Sequence, residues 1–470
     1  MRGPRRLPGE LFSWFVAPLA EKIDRGAGWD RLPPGLGVAT LLGIRHRLRA
    51  RNLYDTRRVP VSAPANGARP SPVRTRDGRG NDVADPDMGA AGTPFGRNAP
   101  PVVEPDDADP DPLAVSERLL TRDEFFPAET VNLLAAAWVQ FEVHDWFAHR
   151  TEPYTSEELE EYRRNPDVPA PPQRLARDDI EGEPFQPFLS DQTHWWDASQ
   201  LYGVSNDFEQ AIRVFEGGRV KDDLDLLRAI EPYTTRRGGA GPAVPNMWLG
   251  TALFHVLFAK EHNAICDRLA ADERQRDDEW LFQKARMINA AIMAKIHTVE
   301  WTPAIISHPT TIRGAHAAWS GLLPIEPGGR WPRPFKADEV PTGIPGSRLS
   351  HDGAPYSLTE EFVTVYRMHQ LIPDDVTFRS ARNGAKIGRR DIADITIAHR
   401  EPERPRKCLE VVGFPDAWYS LGIAFPGEIT LHNYPRFLQE FKSIEDGVRL
   451  NLGMVDILRT RQTGVPRYNN

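Results

Sequence analysis

Apolar residues gather in a few long runs along this chain, and the polar residues set into those runs are few enough to name. The stretch Val131 to His149 is apolar almost all round. A helix of that kind, started by Thr130 or Glu129, is expected to be buried. Gln140 and His144 fall on one face of it at i, i+4, and Asp145 is turned about 100° away. Thr251 to Ala271 and Asp277 to Thr298 also read as helices, and alternation of strand type is scarce. Nearer the carboxyl end, Leu358 to Gln370 holds no Gly or Pro. Ser357 caps its start with Glu360 three residues on, and Pro373 stops it. On that helix Tyr366 and His369 are one turn apart on the same face. A phenol then stands beside an imidazole, either as a reactive pair or as two satisfied core side chains.

At the amino end, Leu11 to Ala20 and Leu36 to Ile44 are shorter apolar runs, each predicting a helix. Arg2, Arg5 and Arg6 precede the first as in a signal peptide, but Pro18 interrupts it and Glu21-Lys22 follow directly. A helix of the mature protein is expected there. Neither run reaches the length of a bilayer span. The second leads into Arg45, His46, Arg47, Arg49 and Arg51. The pair either rests on a membrane surface, covers the mouth of a lipid channel, or packs as ordinary helices. From Pro60 to Pro112 the sequence is rich in Pro, Gly, Asp, Asn and Arg with little periodicity, which predicts an irregular arm.

Composition narrows the function classes. At 470 residues the chain is long enough to enclose a cofactor. Its 66 acidic residues against 58 basic ones give a net charge of -8, with no basic footprint for nucleic acid. Two cysteines, Cys266 and Cys408, exclude a disulfide framework and a thiolate metal cluster. The expected location is the cytoplasm or the periphery of a membrane. No glycine-rich phosphate loop, nucleophile elbow or internal repeat is present.

Two metal readings follow from spacing. A zinc site on His144 and His149 fails, because a spacing of five puts the two about 140° apart on a helix. The loop Thr193 to Ser199 fares better. In extended backbone Thr193, Asp197 and Ser199 present side-chain oxygens on one side while Trp195 offers its carbonyl. With Asp145 these make an all-oxygen set suited to calcium, although the pattern is also common in solvated loops.

These separated elements together resemble the animal-type haem peroxidase and cyclooxygenase superfamily. Gln140-x-x-x-His144-Asp145 looks like its distal helix, and Thr193 to Ser199 followed by Leu201-Tyr202-Gly203 like its calcium loop. Tyr366-x-x-His369 looks like its proximal helix. Lys260-Glu261-His262-Asn263 and Gly464-Val465-Pro466-Arg467-Tyr468-Asn469 fall in the same order. Within the superfamily the likeness is to the fatty-acid α-dioxygenases. Phe95 to Asn98, Ile296 to Thr302, Pro355 to Phe362, Val365 to His369 and Leu431 to Pro435 carry it.

The resemblance implies a mainly α fold with little β structure, a large helical domain that encloses haem b. Residues 1–59 would be the amino-terminal helices and 60–112 the arm. Residues 113–470 would be the haem peroxidase-like catalytic domain. It implies His369 as the iron ligand, with Asn469 hydrogen-bonding that imidazole. His144 and Gln140 would be the distal catalytic pair, and Tyr366 the radical residue. His297 and Thr302 would steer the substrate carboxylate. Calcium would be held by Asp145, Thr193, Trp195, Asp197 and Ser199. The expected activity is addition of O2 at C2 of a fatty acid, with a hydroperoxide as activator. The alternative is a peroxidase acting on small reductants, and a third reading is a haem or lipid carrier. Glu261 and His262 are expected to serve as a buried pair holding helices together. One departure stands out: the α-dioxygenases continue past the position matching Asn469 and place an arginine for the carboxylate there. The domain is therefore expected to lack that part, and no residue here takes the arginine's role.

Overall fold

The structure, a computed structural model, describes residues 8–51, 73–82, 85–102, 109–178, 185–235, 244–272, 276–322, 339–344, 357–443 and 446–466. Backbone contacts divide the chain into two compact units. One comprises Met1–Pro70, Asp82–Pro86 and Ala291–Tyr356, and the other Ser71–Asn81, Asp87–Ala290 and Ser357–Asn470.

In the first unit the two amino-terminal runs form the helices Pro8–Ala27 and Pro34–Arg51, which pack on each other. A third helix, Pro309–Ser320, packs on the second. The approach is close at Gly37, where any Cβ would lie 2.7 Å from the Thr310 side chain, so only glycine fits. Among the described residues no helix is long and apolar enough to cross a membrane.

The second unit is organised on the helix Leu133–Trp146, buried along most of its length as its apolar circumference predicts. Its bounds are tighter than expected. Asn132 precedes it, and Phe147 leaves it in extended backbone, so His149 lies outside the helix and bridges to Ser190. Leu133–Trp146 packs on Leu249–Asp272 through an aromatic cluster. Phe141 stacks on Phe258 with ring centroids 5.7 Å apart, and Trp138 meets Phe254 edge-on at 5.4 Å. Burying a side chain of this size contributes about 1.5–3 kcal/mol. The cluster thereby fixes the helix that bears Gln140 and His144.

Helices Leu249–Asp272 and Asp278–Ile296 fall where the periodicity places them. Among the described residues, strand structure beyond isolated bridges is two antiparallel pairs, Asp375–Arg379 with Lys386–Asp391 and Phe441–Lys442 with Arg449–Leu450. The fold is mainly α, as expected.

The segment of Tyr366 and His369 departs from the expected long helix. The helix runs only from Glu360 to Val365, capped by the Thr359 hydroxyl and not by Ser357. After it comes a separate 3-10 turn, His369–Leu371. Distant groups compete for the carbonyls beyond. Arg122, almost fully buried, donates from Nη2 to Gln370 O at 3.2 Å and Ile372 O at 3.0 Å. The Gly427 amide takes Leu371 O at 3.0 Å. Those bonds replace the ones that a continued helix would make.

Candidate active site

A cavity of about 340 Å³ opens in the second unit between Leu133–Trp146 and the Tyr366–Ile372 segment. Gln140, His144, Trp248, Tyr366, Arg367 and His369 all line it. The unwound segment thus still delivers Tyr366 and His369 to one space, without the single helical face the sequence suggested.

On one wall His144 is 7% exposed, and its Nδ1 is buried with no hydrogen-bond partner among the described residues. Burial, with a smaller contribution from His255, pushes its pKa down to about 3. The imidazole is therefore neutral near pH 7. Gln140 is held at both ends of its amide. Its Oε1 accepts from the Trp248 indole at 2.9 Å, and its Nε2 donates to Asn246 O at 3.2 Å.

On the other wall His369 Nδ1 lies 2.8 Å from Asp456 Oδ2 and 3.1 Å from the Tyr434 hydroxyl. Tyr434 in turn donates to the same carboxylate oxygen at 3.1 Å. With Nδ1–H donated to the carboxylate, Nε2 carries the lone pair, the tautomer a metal ligand needs. Asn469, to which the resemblance gave this contact, lies outside the described residues; among the described residues Asp456 and Tyr434 meet that nitrogen. Tyr366 stacks on Phe362 at 4.4 Å, and burial raises its phenol pKa. Two guanidiniums lie nearby in the fold. Arg367 lines the cavity and donates to Asp456 O at 3.0 Å. Arg459 is pushed down to about 10, first by burial and then by Arg367. Neither forms an ion pair within 4 Å among the described residues.

The Thr193–Ser199 loop lies behind the helix, with every proposed oxygen donor buried. Asp145 Oδ1 accepts from the Ser199 amide at 2.5 Å and its hydroxyl at 2.8 Å. The Thr193 hydroxyl lies 3.2 Å from Asp197 Oδ2 and 3.4 Å from Trp195 O. Arg74 Nη1 sits 2.6 Å from Asp197 Oδ1, and Asn81 adds a contact at 3.0 Å. Burial raises Asp145 to about 7, partly offset by its bonds from Ser199, with the Asp197 charge raising it further. Asp197 is thereby ion-paired with Arg74, whereas Asp145 is held by Ser199 alone in the bonds named above.

Three residues escaped the sequence reading. Asp456 and Tyr434 come from distant helix and loop segments, although Tyr434 sits in the Leu431–Pro435 match. Glu142 is fully buried, with no partner for either oxygen among the described residues. Burial first, then Asp145, raises its pKa well above the usual carboxyl range. One pairing is corrected: Glu261 is exposed, whereas His262 is buried between the Tyr202 hydroxyl at 2.8 Å and Gly218 O at 2.9 Å.

His297 and Thr302 belong to the first unit. They flank a π-helical turn, His297–Trp301, and the Thr302 hydroxyl donates to His297 O at 2.7 Å. The imidazole stacks on Trp301 at 4.7 Å, and burial pushes it down to about 4.

Comparison with known proteins shows the family. The sequence profile of the animal haem peroxidase family matches residues 73–470. Alpha-dioxygenase 1 of Arabidopsis thaliana is 30% identical over 480 residues, covering 98% of this chain and 73% of that protein. The crystal structure of fatty acid alpha-dioxygenase from Arabidopsis thaliana superimposes with a TM-score of 0.77 at 27% identity. That match covers 97% of this chain and 72% of the other. An Oryza sativa fatty acid alpha-dioxygenase variant, solved with palmitic acid, gives 0.75 at 26% identity over 98% of this chain and 78% of that one. The chain belongs to the animal haem peroxidase family, a family of oxidoreductases, and within it to the α-dioxygenases.

Proposed function

We propose that this protein is a haem-dependent fatty-acid α-dioxygenase that adds O2 at C2 of a fatty acid to give a 2-hydroperoxy acid. The observation that carries the reading is one cavity lined by His144, His369 and Tyr366 together. A simple peroxidase needs the two histidines; the phenol that shares the cavity with them is what an oxygenase adds.

The residues fit a haem. His369 presents the tautomer of an iron ligand, with Asp456 and Tyr434 on its far nitrogen. Arg367 and Arg459, without ion-pair partners among the described residues, suit the two propionates. When bound, haem supplies the one-electron oxidising chemistry, with a hydroperoxide as activator. His144, kept neutral by burial, accepts and returns the hydroperoxide proton. Gln140, fixed by Trp248 and Asn246, orients that group through its amide. Tyr366 would lose one electron to the haem once that group is oxidised, and its proton to the cavity, and so become an oxyl radical. That radical takes a hydrogen atom from the α-carbon of the fatty acid, and O2 adds to the carbon left behind. Return of a hydrogen atom from Tyr366 to the peroxyl group completes the product and regenerates the radical.

Regiochemistry follows from anchoring the head group, since the carbon beside the carboxylate is selected by where that carboxylate is held. His297 and Thr302 are the anchors we assign. Calcium at Asp145, Thr193, Trp195, Asp197 and Ser199 is structural. It would neutralise Asp145, Arg74 already answering Asp197, and stiffen the end of the helix that bears His144. Peripheral contact of the amino-terminal helices with a lipid surface would suit a lipid substrate. The test is oxygen uptake with a long-chain fatty acid by the haem-supplied protein, compared with a Tyr366→Phe variant.

A further inference from the structure

Trp146, the last residue of the helix Leu133–Trp146, stands between two other rings. Its centroid lies 5.6 Å from that of Tyr366 with the planes at 85°, and 5.1 Å from that of Trp196 with the planes at 77°. Trp146 is 4% exposed, whereas Trp196 is partly open to solvent. Trp196 is also fixed, since its carbonyl accepts from Arg74 at 3.1 Å. Fatty-acid oxygenation as derived above uses neither indole.

Edge-to-face aromatic pairs at these distances are worth about 0.5–1.5 kcal/mol as packing alone. Packing does not require that the rings run from a redox-active phenol to the surface, and it does not require that the outermost be indole. Indole and phenol are the two side chains that lose one electron at closely matched cost. Here they form one chain of rings, each neighbouring pair at contact distance.

We propose that Tyr366, Trp146 and Trp196 form a hole relay, and that Trp196 is a second oxidation site for phenolic donors too bulky to enter the cavity. The proposal rests on the reading of Tyr366 as a radical residue. In the transfer, a phenol at the surface gives one electron to Trp196, Trp146 passes an electron to the Tyr366 oxyl radical, and each indole returns to its resting state. The phenol releases its proton to solvent as it becomes a phenoxyl radical. Tyr366 takes one proton from water in the cavity and is restored as the neutral phenol. One electron and one proton are thus exchanged between donor and Tyr366. With fatty acid absent, the relay drains an oxidising equivalent that would otherwise damage the site.

The experiment mixes haem-loaded protein with a hydroperoxide in the absence of fatty acid and follows the radicals by freeze-quench electron paramagnetic resonance. In parallel, a nitroso spin trap is added and its adducts are located by peptide mass spectrometry. The wild type is expected to show a tyrosyl signal that decays with adduct formation at Trp196. Trp196→Phe is expected to lose that adduct, to lengthen the tyrosyl lifetime about tenfold, and to oxidise a bulky phenol about tenfold more slowly. Its fatty-acid oxygenation stays at the wild-type level. Trp146→Phe is expected to give the same long-lived tyrosyl signal while Trp196 remains in place. A tyrosyl radical that decays at the wild-type rate in both variants, with no adduct at Trp196 in the wild type, overturns the relay and leaves the oxygenase reading standing. Absence of any tyrosyl radical in the wild type overturns both.

Discussion

Nδ1 of His369 and Oδ2 of Asp456 lie 2.8 Å apart, so the candidate iron ligand donates its spare proton to a carboxylate. Tyr434, buried and with its phenol pKa raised well above the usual range, closes the group from the side. A carboxylate in this place makes the imidazole a stronger donor than a neutral amide would. Asp456→Asn keeps the shape and removes the charge. It is expected to raise the haem reduction potential and to weaken haem retention or activity by about 10–100-fold. Spectroelectrochemical titration and haem transfer to a competing apoprotein measure the two. An unchanged potential with unchanged retention would refute the role.

The carboxylate anchor is tested apart from the radical chemistry. A hydrogen bond from a neutral imidazole to a charged carboxylate is worth about 1.5–3 kcal/mol. His297→Ala is therefore expected to raise KM for a fatty acid by about 10–100-fold. Peroxide-driven oxidation of a small phenol, which needs no carboxylate anchor, stays unchanged. Equal loss of both activities would show that His297 supports the fold and not the substrate.

Calcium makes a thermodynamic prediction. A ligand present at 100 times its Kd stabilises the native state by about 2.7 kcal/mol. Calcium is expected to raise the thermal midpoint of the wild type, and chelation to lower it. Asp197→Ala should abolish the response, because it removes one of the two buried carboxylates. A wild type indifferent to calcium, with none retained by elemental analysis, would exclude the site.

A further prediction concerns acid stability at His262, remote from the cavity. Burial pushes its pKa down to about 4, whereas its ordinary value is 6.5. The unfolded chain therefore binds one more proton than the native state between these values. Stability contributed by keeping this ring neutral is fully present above pH 6.5 and is lost as pH falls toward 4. The total effect is about 3 kcal/mol. Urea unfolding from pH 7.5 to 4.5 should show a shallower fall for His262→Gln than for the wild type. Identical slopes would place the acid sensitivity elsewhere.

What could be read from the sequence was whatever depends on neighbours along the chain. The all-round apolar run ending at Trp146 is the buried helix that patterning predicts, and within the Thr193–Ser199 loop the Thr193 hydroxyl does meet Asp197. The pairing of His369 with Asp456 was hidden, because 87 residues separate the two and no periodicity reports such a contact. The end of the helix at Val365 was hidden for the same reason. Leu358 to Gln370 is compatible with a helix locally, and it is Arg122 and Gly427 that claim its later carbonyls. Glu142 offered no signal at all. A single acidic residue in an apolar run usually marks a solvated edge, yet here the carboxyl lies fully buried.

The most direct measurement is oxygen consumption by the purified, haem-supplied protein given palmitic acid, followed with an electrode while the product is identified. The account predicts oxygen uptake with a 2-hydroperoxy acid as product, abolished in Tyr366→Phe, while that variant still oxidises a small phenol with peroxide. A haem-loaded wild type that turns over peroxide and phenol but consumes no oxygen with any fatty acid would contradict it, and would make the protein a peroxidase.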